Sequence, residues 1–209
     1  MRVKTYLLVG GGAADAVNFA AAQAPTANTP LTLAAGATAA SLVAQPREVT
    51  LTSAADLSAI TFTIVGLDRW GGNVITEQIV GPNANTVTGR KIYQRITSIT
   101  PSATSGSNVS AGYPQRVVSP WVVADVNRST EQVPLMQLAS EIVSGAPDLS
   151  VENTYEWVTN VSGDGAYVQS SQDTTPPSVT TVQGTAVRGV CTTATGSIRI
   201  RVPRFGAIG

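Results

Sequence analysis

The stretch from Ile60 to Val80, ITFTIVGLDRWGGNVITEQIV, constrains the fold more than any other part of the sequence. On both sides of a glycine-rich segment at 66–72, β-branched or aromatic residues alternate with polar ones. Alternation with a period of two, interrupted by turn residues, is typical of a β-hairpin with one buried face. We therefore expect two paired strands here, with Phe62 in a hydrophobic core.

Similar alternation recurs from residue 31 to the end of the chain, and glycine or proline interrupts it about every ten residues. The clearest further segments are REVTLTS at 47–53, KIYQRITSIT at 91–100, LSVENTYEWVTNV at 149–161, AVRGVCTT at 186–193 and SIRIRVPRFG at 197–206. Short strands at this spacing are typical of a β-sandwich or barrel. The sequence predicts an all-β protein built from Ig-like or jelly-roll-like β-sandwich modules.

The domain organisation follows from length and from the position of two prolines. With 209 residues, the chain can form one large all-β domain or two smaller ones. Pro114 and Pro120 bracket a crossing segment at a point where the preceding strands suffice for one sandwich. We predict an N-terminal arm at 1–30, a first β-sandwich at 31–116 and a second at 117–209, with Trp157 in the core of the second.

The N-terminal arm is rich in alanine, and three structures fit it: a short helix ended by Pro25, an extended arm packed on a neighbouring subunit, or a first strand of the same domain. Its apolar start imitates a secretory signal, but glycines interrupt the apolar run, so we expect no cleavage. YLLVGGG at 6–12 also imitates a dinucleotide-binding turn. The strand-helix-strand pattern and the later acidic residue of that motif are absent, so we interpret the glycines as a flexible turn.

Composition argues against several classes of function. Thirteen basic and thirteen acidic residues cancel, so no net charge attracts the protein to nucleic acid or to an anionic membrane. Histidine, the commonest general base and metal ligand, does not occur in the sequence. Cys191 lies in a strand-like segment and is expected to be a buried hydrophobic residue. We expect no enzymatic activity, no cofactor and no bound metal.

Acidic residues offer two weak candidates for chemistry. Glu152 and Glu156 share one face of a predicted strand at roughly 13 Å, which exceeds the separation of a glycosidase pair. Asp164 and Asp173 lie within a turn-rich loop at 162–177, but their spacing does not match a calcium-binding loop. Neither pair predicts a site.

The charges of the second half are distributed unevenly. Seven acidic and no basic residues occur between 129 and 185, whereas four arginines and no acid occur between 188 and 204. Arg199 and Arg201 alternate with apolar residues, so their side chains are predicted to face outward. The asymmetry fits cross-strand ion pairs within the sandwich, or one acidic and one basic face through which copies associate head to tail.

Two aromatic residues in predicted turns are candidate interaction residues. Trp70 lies in the glycine-rich hairpin turn and Tyr167 in the loop at 162–177. Exposed aromatic side chains can stack on sugars, but Trp70 can equally fold back over its hairpin or pack on a neighbouring subunit. In the segment 91–100, Tyr93 and Arg95 are predicted to be solvated, on the face opposite Ile92 and Ile96.

The segments 49–87 and 96–113 resemble a module that recurs in virion proteins of tailed bacteriophages. The matching residues are Thr61-Phe62-Thr63, the turn from Gly66 to Gly72, Glu77, Gly81-Pro82-Asn83 and Thr97-Ser98-Ile99-Thr100. The C-terminal segment 186–206 is similar to the end of a second phage module, although this chain departs from it at Pro203-Arg204-Phe205-Gly206. The loop at 162–177 has no counterpart.

This resemblance implies a multi-copy structural protein of a phage particle, assembled in the host cytoplasm. It would decorate or cement the head shell, or belong to the neck, tail or fibre of the virion, in contact with the host surface. The implied partners are further copies of the same chain and the major capsid protein or other virion proteins. A bacterial adhesin or pilin-like module would have a similar hydroxyl-rich, weakly charged surface.

Overall fold

The computed structural model describes residues 3–10, 12–34, 46–68, 72–123, 135–155, 168, 170–193 and 195–203. These ranges contain β-strands and no helix, which confirms the all-β prediction. The chain forms two compact units. We call residues 13–114 the inserted unit, and residues 1–12 together with 115–209 the split unit, because the first is inserted into the sequence of the second.

The strands are numbered in chain order. They are β1 (Val3–Val9), β2 (Asp15–Gln23), β3 (Thr50–Thr52), β4 (Thr61–Leu67), β5 (Val74–Val80), β6 (Thr86–Thr88), β7 (Arg95–Pro101), β8 (Val109–Tyr113), β9 (Val117–Val118), β10 (Val122–Val123), β11 (Leu135–Ser144), β12 (Leu149–Thr154), β13 (Ser170–Thr174), β14 (Ser178–Gln183), β15 (Ala186–Cys191) and β16 (Ser197–Pro203).

The inserted unit consists of two antiparallel sheets, with strand orders β2-β8-β3-β6 and β5-β4-β7. The predicted hairpin is confirmed: β4 and β5 pair continuously from Thr61 with Val80 to Leu67 with Val74. Alternate residues of β4 and β5 are buried, and Phe62 is fully enclosed in the core. This hairpin therefore supplies one wall of the sandwich.

The split unit also consists of two antiparallel sheets, with strand orders β1-β16-β11-β14 and β10-β15-β12-β13; β9 also pairs with β15. Along β16, Ile198, Ile200 and Val202 are buried, as the alternation predicts. Cys191 at the end of β15 is buried, also as predicted. In contrast, all six residues of β12 are buried, because β12 has a neighbouring strand on each side and sheet faces that are both covered.

The N-terminal segment differs from the predicted arm at 1–30. β1 pairs with β16 in the split unit, and β2 pairs with β8 in the inserted unit. Neither a helix ended by Pro25 nor a free arm forms in the described part of this segment, because both stretches contribute strands to sheets. The chain passes from one unit to the other at residues 12 and 13, and back between 114 and 115, close to the predicted boundary at 116.

The prediction for Tyr93 is wrong. Tyr93 is 1% exposed, whereas Arg95 is exposed as expected. The strand β7 begins only at Arg95, so the alternation does not extend back to residue 93. A Cβ atom at Gly66 would lie 2.6 Å from the ring of Tyr93, so the ring packs directly on the backbone of β4.

Candidate functional site

Two of the four candidate interaction residues, Trp70 and Tyr167, lie outside the described residues, as does Trp157, and their roles stay predictions. The other two, Arg199 and Arg201, are on β16 with their side chains 39% and 53% exposed. Their outward orientation is as predicted.

Arg199 and Arg201 share one carboxylate on the neighbouring strand. Arg199 Nη1 donates to Glu141 Oε2 at 3.1 Å, and Arg201 Nη2 donates to the same oxygen at 3.2 Å. The register places Glu141 of β11 directly opposite Arg199. An exposed ion pair of this kind contributes only about 0–1 kcal/mol to stability. The outer face of this sheet thus carries a cross-strand ion trio rather than a free basic patch.

A second ionic cluster is buried in the other sheet of the split unit, and sequence reasoning missed it. Arg188 Nε donates to Glu152 Oε2 at 2.6 Å, and the two side chains are 2% and 6% exposed. Arg116 Nη1 lies 3.4 Å from the other carboxylate oxygen of Glu152. The guanidinium of Arg188 stacks on the ring of Trp121, 4.7 Å from its centroid.

Strand register explains how this cluster forms. Glu152 of β12 is directly opposite Arg188 of β15, and Val122, the residue after Trp121, pairs with Val187. Burial removes both charges from water, so the carboxylate and the guanidinium compensate each other's charge. The indole ring adds a cation–π contact with the guanidinium. The only sequence signal was Arg188 within the apolar run AVRGVC. Among the described residues, Glu141 and Glu152 therefore form cross-strand ion pairs with Arg199, Arg201 and Arg188, as the first interpretation of the uneven charge expects.

Several residues of the motif at 61–100 singled out in the sequence hold the hairpin of the inserted unit in place. The Glu77 carboxylate on β5 accepts hydrogen bonds from the backbone N–H groups of Arg90, at 2.5 Å, and Lys91, at 3.3 Å. A Cβ atom at Gly89 would lie 2.7 Å from Glu77 Oε2, so a side chain here would have to displace the carboxylate. Burial raises the pKa of Glu77, and the two backbone hydrogen bonds offset part of this rise. Glu77 therefore anchors the 89–91 segment.

Other motif residues also have structural roles. Gly81 N–H donates to the carbonyl of Ile60 at 2.8 Å, and Leu57 N–H donates to the carbonyl of Pro82 at 2.7 Å. The Thr97 hydroxyl donates to the Val65 carbonyl at 2.9 Å, across a register shift between β4 and β7. Each of these bonds satisfies a backbone group at the end or at an irregularity of a strand.

Two further features that bear on function are groups of metal-binding side chains and membrane-spanning helices. Within them, no group of three or more His, Cys, Asp or Glu side chains is close enough to hold a metal ion. Asp173 accepts a hydrogen bond from the Ser150 hydroxyl, whereas Asp164 and Glu156 are outside the described ranges. The described ranges also contain no helix with the length and apolar character needed to cross a membrane.

Comparison with known proteins gives no family. No protein-family model matches the chain, and no curated protein matches it.

Proposed function

We propose that this chain is a non-enzymatic structural protein of a tailed-bacteriophage particle, present in many copies as a decoration or cement protein on the head shell. The observation that carries the proposal is the position of the motif residues. Thr61 pairs with Val80 of β5, and Phe62 is buried in the core. Hydrogen bonds of Glu77, Gly81 and Thr97 hold neighbouring backbone segments of the sandwich together. A motif that specifies a rigid module is what a repeating shell component requires.

The surface of the described residues supports the same proposal. The outward positions of β5 are Val74, Thr76, Gln78 and Val80, so this face carries no charge. On β16 and β11, Glu141 pairs with both Arg199 and Arg201, so the exposed trio keeps a net charge of only +1. Charged residues are depleted in the cores of protein interfaces, so faces of this type suit contact with other protein subunits.

Localisation on the particle tests the proposal. Phage particles propagated on a host that carries this gene with an epitope tag should retain the protein through density-gradient purification. Immunogold labelling should cover the head, and quantitative mass spectrometry should give a copy number comparable with that of the major capsid protein. Absence from purified particles, or a location on the bacterial surface instead, would overturn the assignment.

The alternative is a neck, tail or fibre component that contacts the host, and it is favoured by Trp70 in the hairpin turn and Tyr167 in the loop at 162–177. We expect the Trp70→Ala/Tyr167→Ala variant to weaken assembly on the particle more than adsorption of particles to cells. Tyr155→Ala, which removes an exposed aromatic ring elsewhere, is the matched control and should change neither. Normal assembly of the double variant with loss of adsorption would instead assign a receptor-binding role.

A further inference from the structure

The first strand of the split unit is joined to the rest of the chain by three successive glycines, Gly10-Gly11-Gly12. We propose that β1 is an exchangeable strand, which leaves β16 of its own chain while β1 of a second copy takes the same place. In a reciprocal exchange each copy completes the split unit of the other, so the two copies form a dimer. The inference does not depend on the phage assignment.

The contact between β1 and β16 has the form of a bound peptide strand. The two strands pair through seven consecutive positions, from Val3 with Pro203 to Val9 with Ser197. On the inner face, Leu8 is fully buried in the core of the split unit, and Tyr6 packs against the same core. Backbone hydrogen bonds supply the affinity of an added strand, and pockets for alternate side chains supply its specificity.

This contact also identifies what occupies the position beside β16. The segment that fits there in the structure is β1 itself, with Tyr6 and Leu8 on the inner face opposite Ile200 and Ile198. A second copy of the chain carries the identical segment and reproduces the same register and the same buried side chains. Exchange of an identical element is a low-cost route to a dimer.

The connection after β1 contains a residue suited to act as a hinge. The Gly10 N–H group donates to the Gly196 carbonyl at 2.7 Å, so the regular contact of β1 with its sheet extends to Gly10. Gly12 has a φ of +71°, and a Cβ atom there would meet no atom within 4 Å. Hinges are a few loop residues that absorb large changes in φ and ψ, and glycine adopts positive φ without steric cost. We therefore assign the hinge to Gly12.

Protein concentration decides between the monomer and the exchanged dimer. Both forms contain the same strand pair and the same buried side chains, so they differ mainly in hinge conformation and in the entropy of association. A flexibly tethered segment meets its own site at an effective concentration on the order of 1 mM, and a second copy competes as its concentration approaches that value. Conversion requires β1 to separate from β16, so unfolding and refolding of the full chain accelerates it.

A disulfide between β1 and β16 reports which chain supplies β1. Thr5 lies directly opposite Arg201, and both side chains are exposed. Opposite residues of an antiparallel pair have Cα atoms about 4.5–5.5 Å apart, within disulfide range. The full-length Thr5→Cys/Arg201→Cys variant, refolded from urea and then oxidised, should form an internal disulfide at about 1 μM. At about 500 μM we expect at least ~10-fold more disulfide-linked dimer on a non-reducing gel.

Co-refolding of two single variants tests the exchange directly. A mixture of the Thr5→Cys and Arg201→Cys chains should form a mixed disulfide dimer, because exchange places residue 5 of one chain beside residue 201 of the other. Ala139→Cys mixed with Arg201→Cys is the matched control. Ala139 is also opposite Arg201, but it belongs to β11, which is held between β16 and β14. That mixture should give at most about a tenth of the mixed dimer.

Two further measurements keep the result interpretable. The internal disulfide of the double variant at low concentration shows that the substituted chain folds with the native register of β1 and β16. Circular dichroism should give the same β signal for all variants, because Thr5 and Arg201 are exposed. The native Cys191 is buried and does not compete.

The outcomes of these experiments are distinct from those that test the proposed function. Equal yields of mixed dimer from the Thr5→Cys and Ala139→Cys mixtures, or a dimer fraction that does not change with concentration, would overturn strand exchange. A ladder of trimers and larger species would overturn reciprocal closure. Exchange in a protein that purified phage particles lack would overturn the phage assignment alone.

Discussion

Replacing Arg188 by methionine is expected to destabilise the split unit by about 3 kcal/mol in the free energy of unfolding. Methionine keeps the apolar length of the side chain but removes the guanidinium. Of its described cationic partners, the Glu152 carboxylate, 6% exposed, would then keep the more distant Arg116, whose side chain is 34% exposed. Stacking of a cation on Trp121 at 4.7 Å would also be lost.

The expected loss of stability follows from the buried Glu152 carboxylate that remains without Arg188. Removing one partner of a buried ion pair typically costs about 3–5 kcal/mol, because the remaining charge stays buried without compensation. The residual contact with Arg116 places this case at the lower end of that range. Replacing both partners, in Glu152→Leu/Arg188→Met, should cost less than Arg188→Met alone, because no buried carboxylate remains.

Hydrogen exchange measured by mass spectrometry is the appropriate assay, because the chain has two units that need not unfold together. Peptides that cover β12 and β15 should exchange about 100-fold faster in Arg188→Met, whereas peptides that cover β4 should not change. Arg199→Met is the matched control: it breaks an exposed ion pair and should cost no more than about 1 kcal/mol.

Two results would refute this reasoning. If Arg188→Met and Arg199→Met accelerated exchange equally, the buried pair would contribute no more than a surface pair. If the double variant were less stable than Arg188→Met, Glu152 would stabilise the unit even without Arg188, and an isolated buried charge could not explain the loss.

Three further predictions concern the inserted unit. Gly66→Ala should lower the melting temperature of the inserted unit, because the new Cβ would lie 2.3 Å from the backbone carbonyl oxygen of Arg95. Gly72→Ala places its Cβ more than 4 Å from any atom and should leave the melting temperature unchanged. Differential scanning calorimetry measures both. Burial raises the pKa of Glu77, so the folded state favours the protonated carboxyl group. The stability of the wild type relative to Glu77→Gln should therefore fall as pH rises above about 4.3. Urea unfolding at a series of pH values measures this difference, and a rise with pH would contradict the prediction. Phe62→Ala should cost roughly 3–5 kcal/mol and accelerate exchange in β4, β5 and β7 but not in β12; equal acceleration in both units would indicate one cooperative core.

The sequence predicts those strands that have one buried face. In β4, β5 and β16 the buried and exposed residues alternate, so period two reveals both the strand and the inward side of Phe62 and Ile200. β12 lies between two strands and is buried on both faces, so its alternation carries no information about burial. The expectation for Tyr93 was wrong because β7 begins only at Arg95, so the alternation of the strand does not extend back to residue 93.

The buried ionic cluster was not predictable from local pattern. Glu152 and Arg188 are neighbours only because β12 and β15 are adjacent in register, and no local rule gives that adjacency. The position of β1 has the same origin, since its partner β16 is at the opposite end of the chain. Pairings of this kind depend on closing long loops, and they are decided by the whole sheet rather than by either strand.

The pairing of β1 with β16 also determines the order in which the two units can fold during synthesis. Among the described strands, β1 is synthesised before all the others and its partner β16 after all the others, since Val3 pairs with Pro203. At ~5–20 residues per second, β1 waits on the order of 10–40 s for its partner. The inserted unit, whose strands are all synthesised in between, can fold during that interval. A nascent chain therefore carries one finished sandwich and one unpaired strand, and stalled or truncated products would present that strand to any chain nearby.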